Sequence, residues 1–213
     1  MNGNAVIDLL VARLGDRTDL RVAILLEMTL VQQTLLEGGD ELPWFLLSDD
    51  QPLTIVASNR NVAVPSDFLR EHEEGELLVT NSTGVETALE KAAYDELIDF
   101  YGFDALADPP TAYALVGDNF ALFPIPSVVR ALTLSKYYKR AAAPTDTAAE
   151  NAWLKWASDL LIAETGIVMA GQYLQNDAMA SLFVGMQAVA KRRLNTQNVA
   201  REEANRARNM GAN

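Results

Sequence analysis

The chain has 213 residues, 49% of them hydrophobic and 22% charged, with no cysteine and a formal net charge of −12. That length buries a core unaided, the composition is that of a folded chain, and the missing thiols exclude disulfides, cysteine catalysis and thiolate zinc sites. The acidic balance excludes wrapping of nucleic acid, which needs clustered Lys and Arg, and no run approaches the roughly 18 apolar residues of a membrane span.

Met1-Asn2-Gly3-Asn4 lacks the basic start of a secretion signal, so cytoplasmic synthesis is expected. Residues 4–14 predict an amphipathic helix, with Val6, Ile7, Leu10, Val11 and Leu14 at helical spacing and Gly15 closing it. Thr18 or Asp19 caps a second helix, whose apolar positions Val22, Leu25, Leu26, Thr29 and Leu30 lead to a stop at Gly38-Gly39. Between Leu42 and about Thr80, residues 53–57 and 62–64 are β-prone runs around the turn-like Ser58-Asn59-Arg60-Asn61, which predicts a small hairpin. Pro65-Ser66-Asp67 punctuates the chain, residues 71–76 form a loop too charged for a core, and residues 77–80 add a strand.

A third helix is expected from Gly84 or Val85 to about Tyr101, with Leu89, Leu97 and Phe100 on one side and Gly102 at its exit. After the Asp108-Pro109-Pro110 linker, residues 113–116 and 120–123 flank Gly117-Asp118-Asn119, a hairpin whose turn residues tolerate positive φ. Residues 129–138 read as a strand. Two long helices follow, over about 148–173 and from Asn176 or Asp177 to about Asn209. The expected fold class is mainly α with small β elements (α+β): a helical bundle with two long C-terminal helices, a β-hairpin insertion and a C-terminal extension.

Catalytic chemistry finds no support in this pattern. His72 has no second ligand at helical or hairpin spacing and reads as a solvated loop residue among glutamates, not a metal ligand. Asp95 and Asp99 read as a solvated helix face; Ser158 and Ser181 lie in helical patterns without a nucleophile elbow. Gly38-Gly39 lacks the following Lys-Ser or Lys-Thr of a phosphate loop. No catalytic residue, metal or cofactor is assigned. Trp153 and Trp156, at i and i+3 after Tyr137-Tyr138, read as core packing of a strand on a helix, with Asp159 a polar neighbour.

The C-terminal stretch says more. Leu182, Phe183, Met186 and Val189 or Ala190 form an apolar stripe that fades after Leu194. From Lys191 onward six basic residues face two glutamates, a local charge of +4 that leaves −16 on the rest. Such an extension is either frayed in solution or ordered by docking on a partner, and its charge predicts an acidic receptor surface, on a partner or on a neighbouring copy.

Residues 113–127 (Tyr-Ala-Leu-Val-Gly-Asp-Asn-Phe-Ala-Leu-Phe-Pro-Ile-Pro-Ser), then Leu132 to Tyr138, then Asn151-Ala152-Trp153-Leu154 and the helix through Asp159, resemble the head-to-tail adaptor or tail accessory proteins of tailed phages. The resemblance covers about residues 53–208 and is best after Tyr113; the loop from Phe68 to Thr83 departs from it. It implies a virion head completion protein, made in the host cytoplasm and acting at the head-tail junction. It implies a homo-oligomeric ring, usually of twelve copies, bound to the portal protein and offering a platform to a tail tube, nozzle or tail-hub protein. DNA would be passing cargo only, and no membrane is involved. On this reading residues 1–190 form the adaptor body, with small β-hairpins at about 42–80 and 112–138, and residues 191–213 form a basic tail for portal docking. The implied contacts are Arg192, Arg193, Arg201, Arg206 and Arg208, with Glu202 and Glu203 pairing to a neighbour. The rivals are a virion-associated cell-wall hydrolase using Glu73 or Glu74, and a helical dimeric regulatory or scaffolding module.

Overall fold

In the computed structural model, residues 1–39, 41–147 and 151–210 are described, without the side chains of residues 202 and 205–210. Asn2 opens helix α1 (Gly3–Arg13) by accepting the Ala5 N–H at 2.9 Å, which satisfies one of the donors a helix start leaves over. Val6, Ile7, Leu10 and Val11 are buried from it. After a 3₁₀ turn (Thr18–Leu20), α2 (Arg21–Val31) runs on into a π turn at Gln32–Leu36. Ile24, Met28 and Val31 form its buried face, whereas Val22, Leu26 and Leu30, expected inside, are exposed. The helix is apolar nearly all round, so periodicity could not choose its inner side.

Leu47–Lys139 form a compact unit of their own. Strands β1 (Leu47–Ile55), β2 (Asn61–Ala63), β3 (Phe68–Glu71), β4 (Leu77–Thr80), β5 (Glu86–Ala88) and β6 (Glu90–Lys91) precede α3 (Tyr94–Tyr101). After it come β7 (Leu106–Ala107), β8 (Ala112–Val116), β9 (Asn119–Phe123), β10 (Ile125–Pro126) and β11 (Arg130–Lys139). β11 is the axis of one sheet: β1 runs antiparallel along it from Leu47↔Tyr138 to Ile55↔Arg130, and β4 and β3 pair with its other edge. A second sheet has the order β2-β9-β8-β6, with the β8–β9 hairpin turning at Gly117 at φ +56°. Period-two alternation on β9 divides its side chains between two cores. Phe120 and Leu122 join Ile55, Leu77, Val79, Leu132, Leu134 and Tyr137, while Ala121 and Phe123 pack with Leu97 of α3.

The remaining stretches, Met1–Leu46 and Arg140–Asn213, make the other unit. Asn151 caps the short α4 (Ala152–Trp156), accepting the Leu154 N–H at 2.7 Å, and the backbone breaks at Ala157 (φ −141°, ψ 37°) before α5 (Ser158–Val168) and a π turn at Met169–Tyr173. α6 (Asp177–Met210) closes the chain. Every residue from Leu160 to Gly166 is buried. A β-carbon on Gly166 would overlap the Phe183 ring, so this glycine sets how closely α5 and α6 approach.

These elements overturn the helical-bundle expectation. The fold is a mixed α+β one in which an entire unit is built on antiparallel sheets, and α6 alone matches the two long C-terminal helices expected. The helix expected over 148–173 is cut at Ala157, because bending there buries Trp153 while leaving Trp156 partly exposed. Residues 86–91, read as helix, pair as strands with β4 and β8. β1 and β2, read as partners, pair instead with β11 and β9. In each case a distant partner decides the conformation of a locally ambiguous run.

One buried carboxylate ties the divided unit together. Glu37 is 3% exposed, and its Oε1 accepts from Gln32 Nε2 at 3.0 Å, Trp153 Nε1 at 3.1 Å and the Ala141 N–H at 3.2 Å. Gln32 Nε2 also donates to the Ala141 and Ala142 carbonyls, and Gln32 Oε1 accepts from Asn151 Nδ2 at 2.8 Å. Burial pushes the Glu37 carboxyl above its ordinary value; the bonds from Trp153, Ala141 and Gln32, and the Arg140 charge 4.0 Å away, oppose that rise. The folded state therefore holds this proton to a higher pH than the unfolded chain does. The penalty for ionising Glu37 is complete above the folded value and disappears as pH falls to the ordinary carboxylate range. Denaturant unfolding of wild type and Glu37→Gln across a pH series should show wild type gaining on the variant as pH falls from neutral; a pH-independent difference would contradict this. Glu37→Leu, which leaves the buried Trp153 indole N–H and the part-buried Ala141 N–H without their acceptor, should cost about 2 kcal/mol or more.

Candidate docking surface on the last helix

α6 begins as a core helix. Phe183 and Ala190 are buried in it, and Lys191 Nζ reaches Oε1 of the buried Glu164 at 3.0 Å. Beyond Leu194 the apolar stripe fades as the sequence predicts, yet the helix continues to Met210. Polar contacts replace the apolar ones. Asn198 Oδ1 accepts the Trp44 N–H at 3.4 Å, and the Arg201 guanidinium lies 4.3 Å from the Trp44 ring centre. Trp44 is in turn held edge-on by Phe45 and by Trp156, at 5.8 and 5.0 Å, and Phe45 packs on Trp153 at 5.0 Å. The two tryptophans read together as core thus part company: Trp153 is buried, and Trp156 supports the platform under Arg201.

Of the residues expected to dock, Arg192, Arg193, Arg201 and Glu203 have described side chains, all exposed on α6. Arg192 is exposed, its Nε donating to the Ala188 carbonyl of its own helix at 3.3 Å. Arg193 is exposed and 3.4 Å from Asp159, a surface pair that holds it weakly. Arg201 sits nine residues after Arg192, about half a turn around the helix from it. Glu203 is exposed beside a shallow groove lined by Asn195, Thr196, Val199 and Ala200. The backbones of Glu202, Arg206 and Arg208 are helical; their side chains lie outside the described residues.

Three of the other sequence candidates, His72, Glu71 and Glu74, have structural partners. His72 Nδ1 accepts the Glu74 N–H at 3.1 Å within its turn. In the acidic loop Glu71 accepts from the Tyr113 hydroxyl at 2.7 Å and pairs with Lys91, while Glu74 pairs with Lys136 at 2.9 Å. Burial, with the Glu71 carboxylate beside it, pushes the Tyr113 hydroxyl well above its usual range. Asp95 and Asp99 lie exposed on α3. Among the described residues no group of three His, Asp or Glu could hold a metal, and no helix is long and apolar enough to cross a membrane. Sequence reasoning missed Trp44 as the anchor of α6; its only signal was an aromatic pair, Trp44-Phe45, directly after a proline.

The model of one protein family, described as SU10 adaptor protein, matches residues 1–212. No curated protein sequence matches the chain significantly.

Trp44→Ala should leave the rest of the fold intact and loosen α6 beyond its apolar stripe. Amide exchange at residues 195–204 should quicken while exchange in α5 is unchanged; equal exchange at 195–204 would show that Trp44 is no anchor.

Proposed function

Because the chain belongs to the SU10 adaptor protein family, we propose that it is the head-to-tail connector of a phage virion, a ring of copies bound beneath the portal protein. The family makes it a structural virion component that works by contact with other virion proteins. The finer reading adds that about twelve copies match the portal, extend the DNA channel and present a platform to a tail tube, nozzle or tail-hub protein. The observation that carries it is the family match along nearly the whole chain, taken with a terminal helix that outlasts its own core. A segment carrying +4 against −16 elsewhere suits an acidic receptor surface, and docking through Arg192, Arg193, Arg201, Arg206 and Arg208, with Glu202 and Glu203 paired to a neighbour, would use that charge. Net acidity in the body also discourages DNA from sticking as it passes.

Residues 191–213 would then be the portal-docking segment, anchored on Trp44 as far as Arg201. Deleting residues 202–213 spares the Arg201 contact with Trp44, so circular dichroism should change only by the loss of the helix end. Co-sedimentation with portal rings should disappear, and Arg206→Glu with Arg208→Glu should weaken it strongly in a salt-dependent way. Undiminished portal binding by the shortened chain would remove this segment from the interface.

A further inference from the structure

α5 is buried around its circumference because α2 and α6 both pack against it, without packing appreciably on each other. The outer faces of α2 and α6 are therefore separate surfaces of the unit. Both are apolar. On α2, Val22 is 73% exposed, Leu26 60% and Leu30 51%, and their four-residue spacing makes a ridge along the helix. On α6, Leu182 and Val189 are 65% and 62% exposed. With Asp159, Gly185, Met186 and Ala190 they line an open groove of about 430 Å³. Arg13 steadies one wall, its guanidinium 3.3 Å from the Met186 sulfur. The floor is clear: no atom lies within 4 Å of where a β-carbon on Gly185 would sit.

We propose that the α2 ridge of one copy seats in the α6 groove of the next. This rests on the adaptor-ring reading and names the surfaces that would build the ring. Ridge and groove differ in shape and belong to helices that do not pack appreciably on each other, so neither covers the other within a single chain. A head-to-tail contact uses both faces once per copy and closes as a ring. The exposed fractions amount to roughly 300 Å² on the α2 ridge and roughly 200 Å² on the α6 face, hence about 500 Å² apolar per contact. Ordinary interfaces are a little over half apolar, so the whole contact is about 900 Å², just under the usual size of a specific one. A contact of that size is weak alone and gains strength by repetition around a template. The polar rim is present too, with Arg193 on Asp159 at the groove and Arg17 on Asp19 before the ridge, at 3.4 and 2.7 Å.

The chain has no cysteine, so single substitutions give clean crosslinks. Leu26→Cys and Val189→Cys, prepared separately, mixed at high concentration with and without portal rings and treated with a short bismaleimide, should give the 26–189 product. Gly185→Leu fills the groove without disturbing a neighbour and favours helix, so it should preserve thermal stability while lowering self-association about tenfold or more. A 26–26 product would overturn the inference in favour of a two-fold dimer, as would the absence of any 26–189 product. The portal arm separates this from the reading it rests on. A 26–189 product with no portal binding keeps the contact and rejects the adaptor role; portal binding in fixed ratio without that product does the reverse.

Discussion

Glu37 is a carboxylate without water around it, and the unit it serves is assembled from stretches separated by the whole of Leu47–Lys139. Closing a loop of that length costs chain entropy, and a buried ion is tolerated only when hydrogen bonds replace its solvation. The arrangement meets the first demand and half of the second: Oε1 accepts three bonds, whereas buried Oε2 has no hydrogen bond and only the Arg140 charge 4.0 Å away. Gln32 and Glu37 come from the end of α2, Ala141 and Ala142 from the chain as it returns, and Asn151 and Trp153 from the start of α4. Fixing those three places relative to one another seats α5 against α2, and α5 in turn seats α6 through Gly166, Phe183 and the Glu164–Lys191 pair. Everything attributed to α6 presupposes that polar cluster.

The unit so formed presents surfaces. Its ionisable groups are mostly spent on structure: Glu164 holds Lys191, Asp159 meets Arg193 and Glu27 accepts from the Tyr173 hydroxyl. The sheet-based unit does likewise with Glu71, Glu74 and Asp108; Arg130 holds the Asp108 carboxyl below the usual carboxylate range. Among the described residues of the divided unit the exposed apolar side chains include Val22, Leu26 and Leu30 on α2 and Leu182, Val184 and Val189 on the first half of α6.

Local signals carried the sequence reading where they were complete. Gly117-Asp118-Asn119 between alternating residues specified the β8–β9 hairpin, Gly15 marked the end of α1, and residues 77–80 and 129–138 read as strands because their alternation survives isolation. The errors share one physical origin. β1 depends on β11, roughly eighty positions away in sequence, and β3 is a strand because β11 lies beside it. Helix α2 offered apolar residues in every direction, so its exposed Val22, Leu26 and Leu30 were read as core. At the docking segment the charge and the fading stripe were legible, but Arg201 and Asn198 reach Trp44 from more than 150 positions along the chain. No local pattern encodes such a contact.

The central claim is that identical copies of this chain assemble on a portal ring, and the mass of that complex tests it most directly. Native mass spectrometry of the purified chain mixed with the portal of the same phage should show one discrete assembly carrying as many copies of the chain as portal subunits. A portal ring whose mass is unchanged, beside a chain that stays monomeric or forms a dimer indifferent to it, would contradict the account.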